Sequence, residues 1–297
     1  RFSFSYIHRD YFKENANKIK NSLVNFINGL DNKEMRNLPK DLIDIVSELL
    51  KKIIAYNNDK DNEREFEDLY DEMTLTLAMK TIKTSIFDRR LQGVKALNDY
   101  IEKNSKNKES CKKLVGLIKK NGIIPEIFGA NYHSQLINKS TEIVKLLLLE
   151  NELSEEDIKL IWSCTKRGDL EAKTILKLLS NLADNLKEEY VEMLLNSIRS
   201  NIDKKIDEKE IELVYRLSIQ GNNNEKKILI CCDYLCQCLL SLKDTKISDN
   251  PILDKLLMLG RRDDKYLEKI LEICENCLKK NENALLSYSI LYEIMDK

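Results

Sequence analysis

Glycine and proline are scarce, with 8 and 3 in 297 residues, where average usage would supply roughly 21 and 15. Few turns in this chain depend on either residue, and a glycine-rich phosphate loop is absent. No run of about eighteen or more apolar residues occurs, so nothing reads as a membrane-spanning helix. The opening "RFSFSYIHRDYF" is polar and aromatic and lacks the layout of a signal peptide. Neither sign of charge dominates: 49 basic residues face 50 acidic ones for a formal net charge of -1. With no global field to concentrate polyanions, neither nucleic acid nor membrane is expected as a partner. Histidine is nearly missing. His8 and His133 stand far from every cysteine in sequence, so a Cys-His catalytic pair has no local signature. The G-x-S-x-G and H-E-x-x-H patterns are absent as well.

What is present is helical. Hydrophobic residues make up 42% and charged residues 33%, and apolar positions recur at helical spacing with no sustained alternation to suggest a sheet. About fourteen helices are predicted. In "LSEEDIKLIWSCTKRGD", Ser154 with Asp157 three residues on forms a candidate capping box. Ile158, Ile161, Trp162 and Thr165 then share a face, and Gly168 is expected to end that helix. Leu170, Ile175, Leu178, Leu179 and Leu182 predict the buried stripe of the next, and Tyr190, Val191, Leu194, Leu195 and Ile198 that of a third. Pro39 and Pro251 each fit a first helical turn, the second just after Asn250 as N-cap.

The breaks are short and polar: "NGIIP" (121–125), "QGNNNE" (220–225) and "KDTKISDNP" (243–251). Helices joined this tightly pack antiparallel to their neighbours. Pairs or triplets recurring at roughly 35 to 45 residues predict an all-α, armadillo/HEAT-like solenoid, with a globular helical bundle as the alternative. The charged stretch "NNDKDNEREFED" (57–68) reads as a linker or surface loop. It divides an N-terminal helical segment, 1–60, from a repeat region, 61–297, across a soft boundary that one continuous solenoid would erase. Beginning at Arg1, the chain is expected to be part of a longer protein.

Cysteine is the one residue type whose arrangement invites chemistry. Four of the eight crowd into "ICCDYLCQCLL" (230–240), and Cys274 and Cys277 form a CxxC, "CENC". All eight lie in apolar helical runs, the habit of reduced thiols in an intracellular, cytosolic or nuclear protein. On a helix Cys231 and Cys238 stand about 10.5 Å apart along the axis and cannot share one zinc. Cys232 and Cys236 are i, i+4 neighbours and could join Cys274 and Cys277 in a zinc site. The alternative is core, with Ile228, Cys231, Leu235, Cys238 and Leu242 as a helix seam and Cys232, Cys236 and Leu239 beside it. Core is the reading adopted, so no catalytic, cofactor-binding or metal residue is assigned and no cofactor is expected. Trp162 likewise reads as core. Arg89 and Arg90, opening "FDRRLQGVKALNDYI", read as surface cations or contacts to an acidic neighbour. Carboxylates in "SEEDIK" and "KEIEL" read as solvated helix faces.

The run from 73 to about 200 resembles a known family. "MTLTLAMKTIKTSIFDRRLQGVKALNDYI", then "GIIPEIFGANYH", then a Leu-rich helix and "LSEEDIKLIW", then the two helices after Gly168, are similar to the armadillo-like region ahead of the protease domain in very large, fat-facets-type ubiquitin-specific proteases. The resemblance covers a little under half the chain. It implies a non-catalytic scaffold of a deubiquitinating enzyme, with protein partners: substrates, adaptors or the catalytic domain. That family's Cys box and His box are not here, and "CENC" is one CxxC without the partner its zinc fingers carry. The competing reading is a stand-alone helical-repeat adaptor, and a third, that the segment is itself an enzyme, predicts ubiquitin-substrate cleavage, which is not expected.

Overall fold

A computed structural model of the chain describes residues 9–37, 45–46, 48–49, 60–199, 208–220, 225–241 and 250–296. Among them are sixteen α-helices and two 3-10 turns, and no strand. They fall into two compact units, Arg1–Leu146 and Leu147–Lys297.

The first unit contains α1 (Arg9–Gly29), α2 (Asn32–Asn37), α3 (Lys60–Ile82), α4 (Phe87–Asn104), α5 (Lys108–Lys120), α6 (Ile123–Phe128) and α7 (Ser134–Lys139); the division itself falls within α8 (Thr141–Leu149). From Lys60 onward the charged stretch expected as a loop is helix. The stretch is rich in good helix formers. α3 and α4 cross closely at Gly93. A Cβ on Gly93 would stand 2.5 Å from Thr81 Oγ1 and 2.8 Å from both the Ala78 carbonyl oxygen and Ile82 Cγ1. Met73, Leu77 and Ile82 meet Val94 and Leu97 in the core, with Leu114, Ile118 and Phe128 from the later helices also buried. Lys80 closes the open end of α1: its ammonium donates to the carbonyls of Asn28 (2.8 Å) and Leu30 (2.7 Å), a cation where the dipole is negative.

The second unit contains α9 (Glu155–Ser163), α10 (Asp169–Leu182), α11 (Glu188–Arg199), α12 (Glu208–Gln220), α13 (Glu225–Leu240), α14 (Pro251–Gly260), α15 (Asp264–Lys279) and α16 (Ala284–Asp296). Packing follows a two-layer ladder. α9, α11, α13 and α15 stack in one layer and α10, α12 and α14 in the other, while consecutive helices from α11 onward also touch. This is the pattern of stacked helical hairpins.

The repeat is written in cross-hairpin hydrogen bonds as well. Lys187 Nζ reaches Asn151 across 36 residues, Lys265 Nζ reaches Glu225 across 40, Arg262 reaches the Ile219 carbonyl across 43 and Lys227 the Ala183 carbonyl across 44. In the first unit, Arg90 reaches Glu126 across 36 residues and Asn131 across 41, and Asn98 reaches Lys139 across 41. The separations match the period expected from sequence, and each unit is all-α and armadillo-like.

Local signals behave as the chemistry requires. The Ser154–Asp157 capping box forms with both of its hydrogen bonds, and Asn250 caps α14 ahead of Pro251. Gly168 does not end α9, which stops at Ser163 and passes through a 3-10 turn, Cys164–Lys166; Gly168 is the N-cap of α10. Leu170, expected in the buried stripe, is exposed, because it sits in the first turn of α10 ahead of the packed face. "NGIIP" is less of a break than expected, since α6 begins at Ile123 with Pro125 in its first turn, where a missing N–H costs nothing. Short helices such as α2, α6 and α7 raise the observed number above the fourteen read from periodicity. Pro39 and His8, with residues 221–224 and 242–249 of the other breaks, lie outside the described residues.

Candidate functional site

The cysteine cluster is built by α13 and α15. Cys231, Cys232, Cys236 and Cys238 are all buried, together with Ile228, Leu235 and Leu239, so α13 is enclosed on more than one side. Leu242, the last member of the expected seam, lies outside the described residues. Across on α15, Cys274 is buried and Cys277 half-buried.

The thiols do approach one another. Cys236 is driven above the ordinary thiol range by a hydrogen bond shared with Cys232, by burial, and by the proximity of Cys232 and Cys274. Burial pushes Cys231 up to about 12 and Cys274 to about 11. A nucleophilic or metal-binding cysteine needs the thiolate, which an apolar site disfavours. Among the described residues no three His, Cys, Asp or Glu side chains gather as a metal site. Buried and disfavoured as thiolates, these side chains pack as small, polarizable groups between helices.

His133 is engaged elsewhere. It caps α7, with Nδ1 accepting from the Gln135 N–H at 3.2 Å, and its ring lies 4.0 Å from that of Phe87. Trp162 is buried.

Arg90 corrects the sequence reading. It is buried rather than on the surface, and its hydrogen-bond partners are carbonyls, with the Glu126 carboxylate nearby. Nε donates to the Ile82 carbonyl at 3.0 Å, while Nη1 and Nη2 donate to the carbonyls of Asn131 and Glu126. One guanidinium thus satisfies the end of α3, the last turn of α6 and the loop that follows. Burial lowers its pKa, and the Glu126 carboxylate acts in the opposite direction. Arg89 is buried too. Both are scaffold.

The surface holds the features with binding chemistry. On α16, Leu285, Tyr288, Tyr292 and Met295 are 72%, 61%, 60% and 79% exposed. Their spacing of three, four and three residues puts them on one face, an a/d seam like that of a coiled coil. The opposite face is buried through Leu286, Ser287 and Ile290. A helix apolar on both sides is a helix made to be covered on both sides. Sequence reading passed over this seam, although the apolar residues all around "ALLSYSILYEIM" were its signal. Elsewhere in the unit, Lys255 bridges Glu212 at 2.9 Å and lies 4.5 Å from the centre of the Tyr215 ring, an ordinary surface pairing. No helix among the described residues is long and apolar enough to cross a membrane.

A two-layer stack of helical hairpins, with its cysteines packed away and an apolar seam on its surface, defines an armadillo-like repeat protein. The family model "UBP24/USP9X/USP9Y ARM repeat" matches residues 68–234, and the chain belongs to that family. A curated relative, the ubiquitin carboxyl-terminal hydrolase puf of Drosophila melanogaster, is 31% identical over 129 residues; the match covers 39% of this chain and 3% of the relative.

Proposed function

We propose that this chain is a non-catalytic protein-interaction region of a large ubiquitin carboxyl-terminal hydrolase, recruiting substrates or adaptors for deubiquitination inside the cell. Family membership and the relative's name support the enzyme context. The observation that carries the interaction role is the stack of helical hairpins, whose successive helices present continuous faces for protein contacts. The α16 seam, four large apolar side chains on one face, is where a further helix packs, from the parent chain or from a partner. Apolar patches of this kind, on a folded helix with a buried opposite face, mark protein contacts. The seam's spacing suits an amphipathic helix of the partner, packed side by side. The soft boundary near residue 60 belongs to the proposal, and limited proteolysis with N-terminal sequencing of the fragments checks it.

Two experiments test the reading. The isolated chain is expected to release no fluorophore from a fluorogenic ubiquitin substrate; turnover that disappears on substituting a cysteine contradicts it. The gene that encodes the chain is expected to encode a Cys box and a His box downstream. A gene lacking them favours the stand-alone adaptor.

A further inference from the structure

α5 carries a second surface of different chemistry. Residues 105–121, "SKNKESCKKLVGLIKKN", contain six lysines against one carboxylate, Glu109, in a chain whose net charge is -1. The apolar side of α5, Cys111, Leu114, Val115 and Ile118, is buried, which fixes the rotation of the helix and turns the lysines outward. At 100° per residue Lys108 and Lys112 form one row, which Lys119 extends, and Lys113 and Lys120 form a second. Gly116 lies between the rows, and a Cβ there would meet nothing within 4 Å. The result is a shallow track between two basic rails, about 18 Å long, with the single carboxylate, Glu109, in the strip at its N-terminal end. Its ends are set by Asn107, which accepts from the Glu109 and Ser110 N–H groups, and by Lys119 and Lys120 in the last turn, where cations suit the dipole. Lys108, Lys112, Lys113 and Lys120 are all exposed and form no ion pair with any described residue.

We infer that the lysine rails of α5 are a docking track for an acidic segment of a protein partner. Three features select that occupant. Charge complementarity calls for an anion with several charges spaced along about 18 Å, as on one face of a helix or strand. A lipid surface is disfavoured because the apolar side of α5 is spent on the core, leaving nothing to insert. Nucleic acid is disfavoured because the rails offer neither arginine nor an aromatic ring for stacking on bases. The inference goes beyond the recruitment role proposed above and is read on this chain alone, so it fails or stands separately from the deubiquitinase assignment.

The test is fluorescence anisotropy with a fluorescein-labelled polyglutamate peptide of about twelve residues. Changing Lys108, Lys112, Lys113 and Lys120 to Glu is expected to weaken binding at least about tenfold, and Lys→Gln at the same positions to give a smaller loss. Raising salt from about 0.05 to 0.3 M weakens the wild-type complex. A control, Lys173→Glu with Lys177→Glu on α10, stays within about twofold, since it alters net charge but not the track. The inference is overturned by no binding, by binding indifferent to reversal of the rails, or by an equal loss in the control. Tighter binding to phosphatidylserine vesicles or single-stranded RNA than to the peptide overturns it as well.

Discussion

The two units close helix against helix by opposite chemistry. In the first, the crossing of α3 and α4 uses a glycine with no room for a Cβ, and the Arg90 guanidinium ties three carbonyls together. In the second, α13 meets α15 through buried thiols, with Cys274 near Cys236, and an exposed Lys265–Glu225 ion pair joins the same two helices. A closure built on directional hydrogen bonds and zero clearance tolerates no substitute. One built on small apolar groups loses stability in proportion to the atoms removed. The residues that looked chemical in the sequence, Arg90 in one unit and the α13 thiols in the other, are buried where helices pack.

Breaking the first closure has the largest expected effect. Arg90→Leu removes the donor for the carbonyls of Ile82, Glu126 and Asn131, and a loss of about 3 kcal/mol is expected in urea unfolding. Arg90→Lys rescues little, because one ammonium cannot reproduce the planar fork. Gly93→Ala comes next, at about 2 kcal/mol, since two of the close contacts are to Ala78 backbone and Ile82 and only the Thr81 hydroxyl can rotate away.

The thiol closure answers more gently. Cys236→Ala is expected to cost about 1 kcal/mol. Cys236→Ser costs a similar amount, because the buried hydroxyl is relieved by the carbonyl one turn back. An Arg90 variant no more destabilised than Cys236→Ala would erase the distinction between the two closures.

Protonation sharpens it further. Burial raises Cys231 from 9.0 to about 12 and Cys274 from 9.0 to about 11. The fold therefore favours the neutral thiols: their contribution is fully present below pH 9, and is lost as pH climbs through those raised values. The melting temperature should fall above pH 9, and less steeply in Cys231→Ala. At pH 8, alkylation followed by mass spectrometry should label half-buried Cys277 in the native chain and reach Cys231, Cys236 and Cys274 only after unfolding.

The smallest effect belongs to the exposed pairs. Lys265→Ala, which removes a 3.1 Å ion pair to Glu225, is expected to change stability by less than about 0.5 kcal/mol.

What sequence reading captured follows the range of the interaction. The Ser154–Asp157 box and the Asn250–Pro251 start are local, with partners within three residues, and both form as read. The packed faces of α10 and α11 follow helical period, and Tyr190, Val191, Leu194, Leu195 and Ile198 are buried as expected. Arg90 was misread because its partners are backbone carbonyls, the same at every residue, and two of them lie 36 and 41 positions away. The α3 start was misread because a charge-rich first turn looks the same in a loop and at a helix N-terminus. The cysteine question was half legible: helical spacing separated Cys231 from Cys238, but only the structure brings Cys274 near enough to Cys236 to influence its charge. The family's order of motifs was legible where no single motif was.

The central claim is recruitment without catalysis, and the α16 seam offers the most direct test. Leu285→Glu with Tyr288→Glu and Tyr292→Glu, placed in the intact parent protein, leaves the buried face of α16 untouched. The measurement is kcat/KM on a fluorogenic ubiquitin substrate beside the rate of deubiquitination of the parent's own ubiquitylated substrates. The account predicts an unchanged first value and a fall of about tenfold or more in the second, the size expected for losing an apolar anchor cluster. Equal loss on both substrates, or no loss on either, contradicts it.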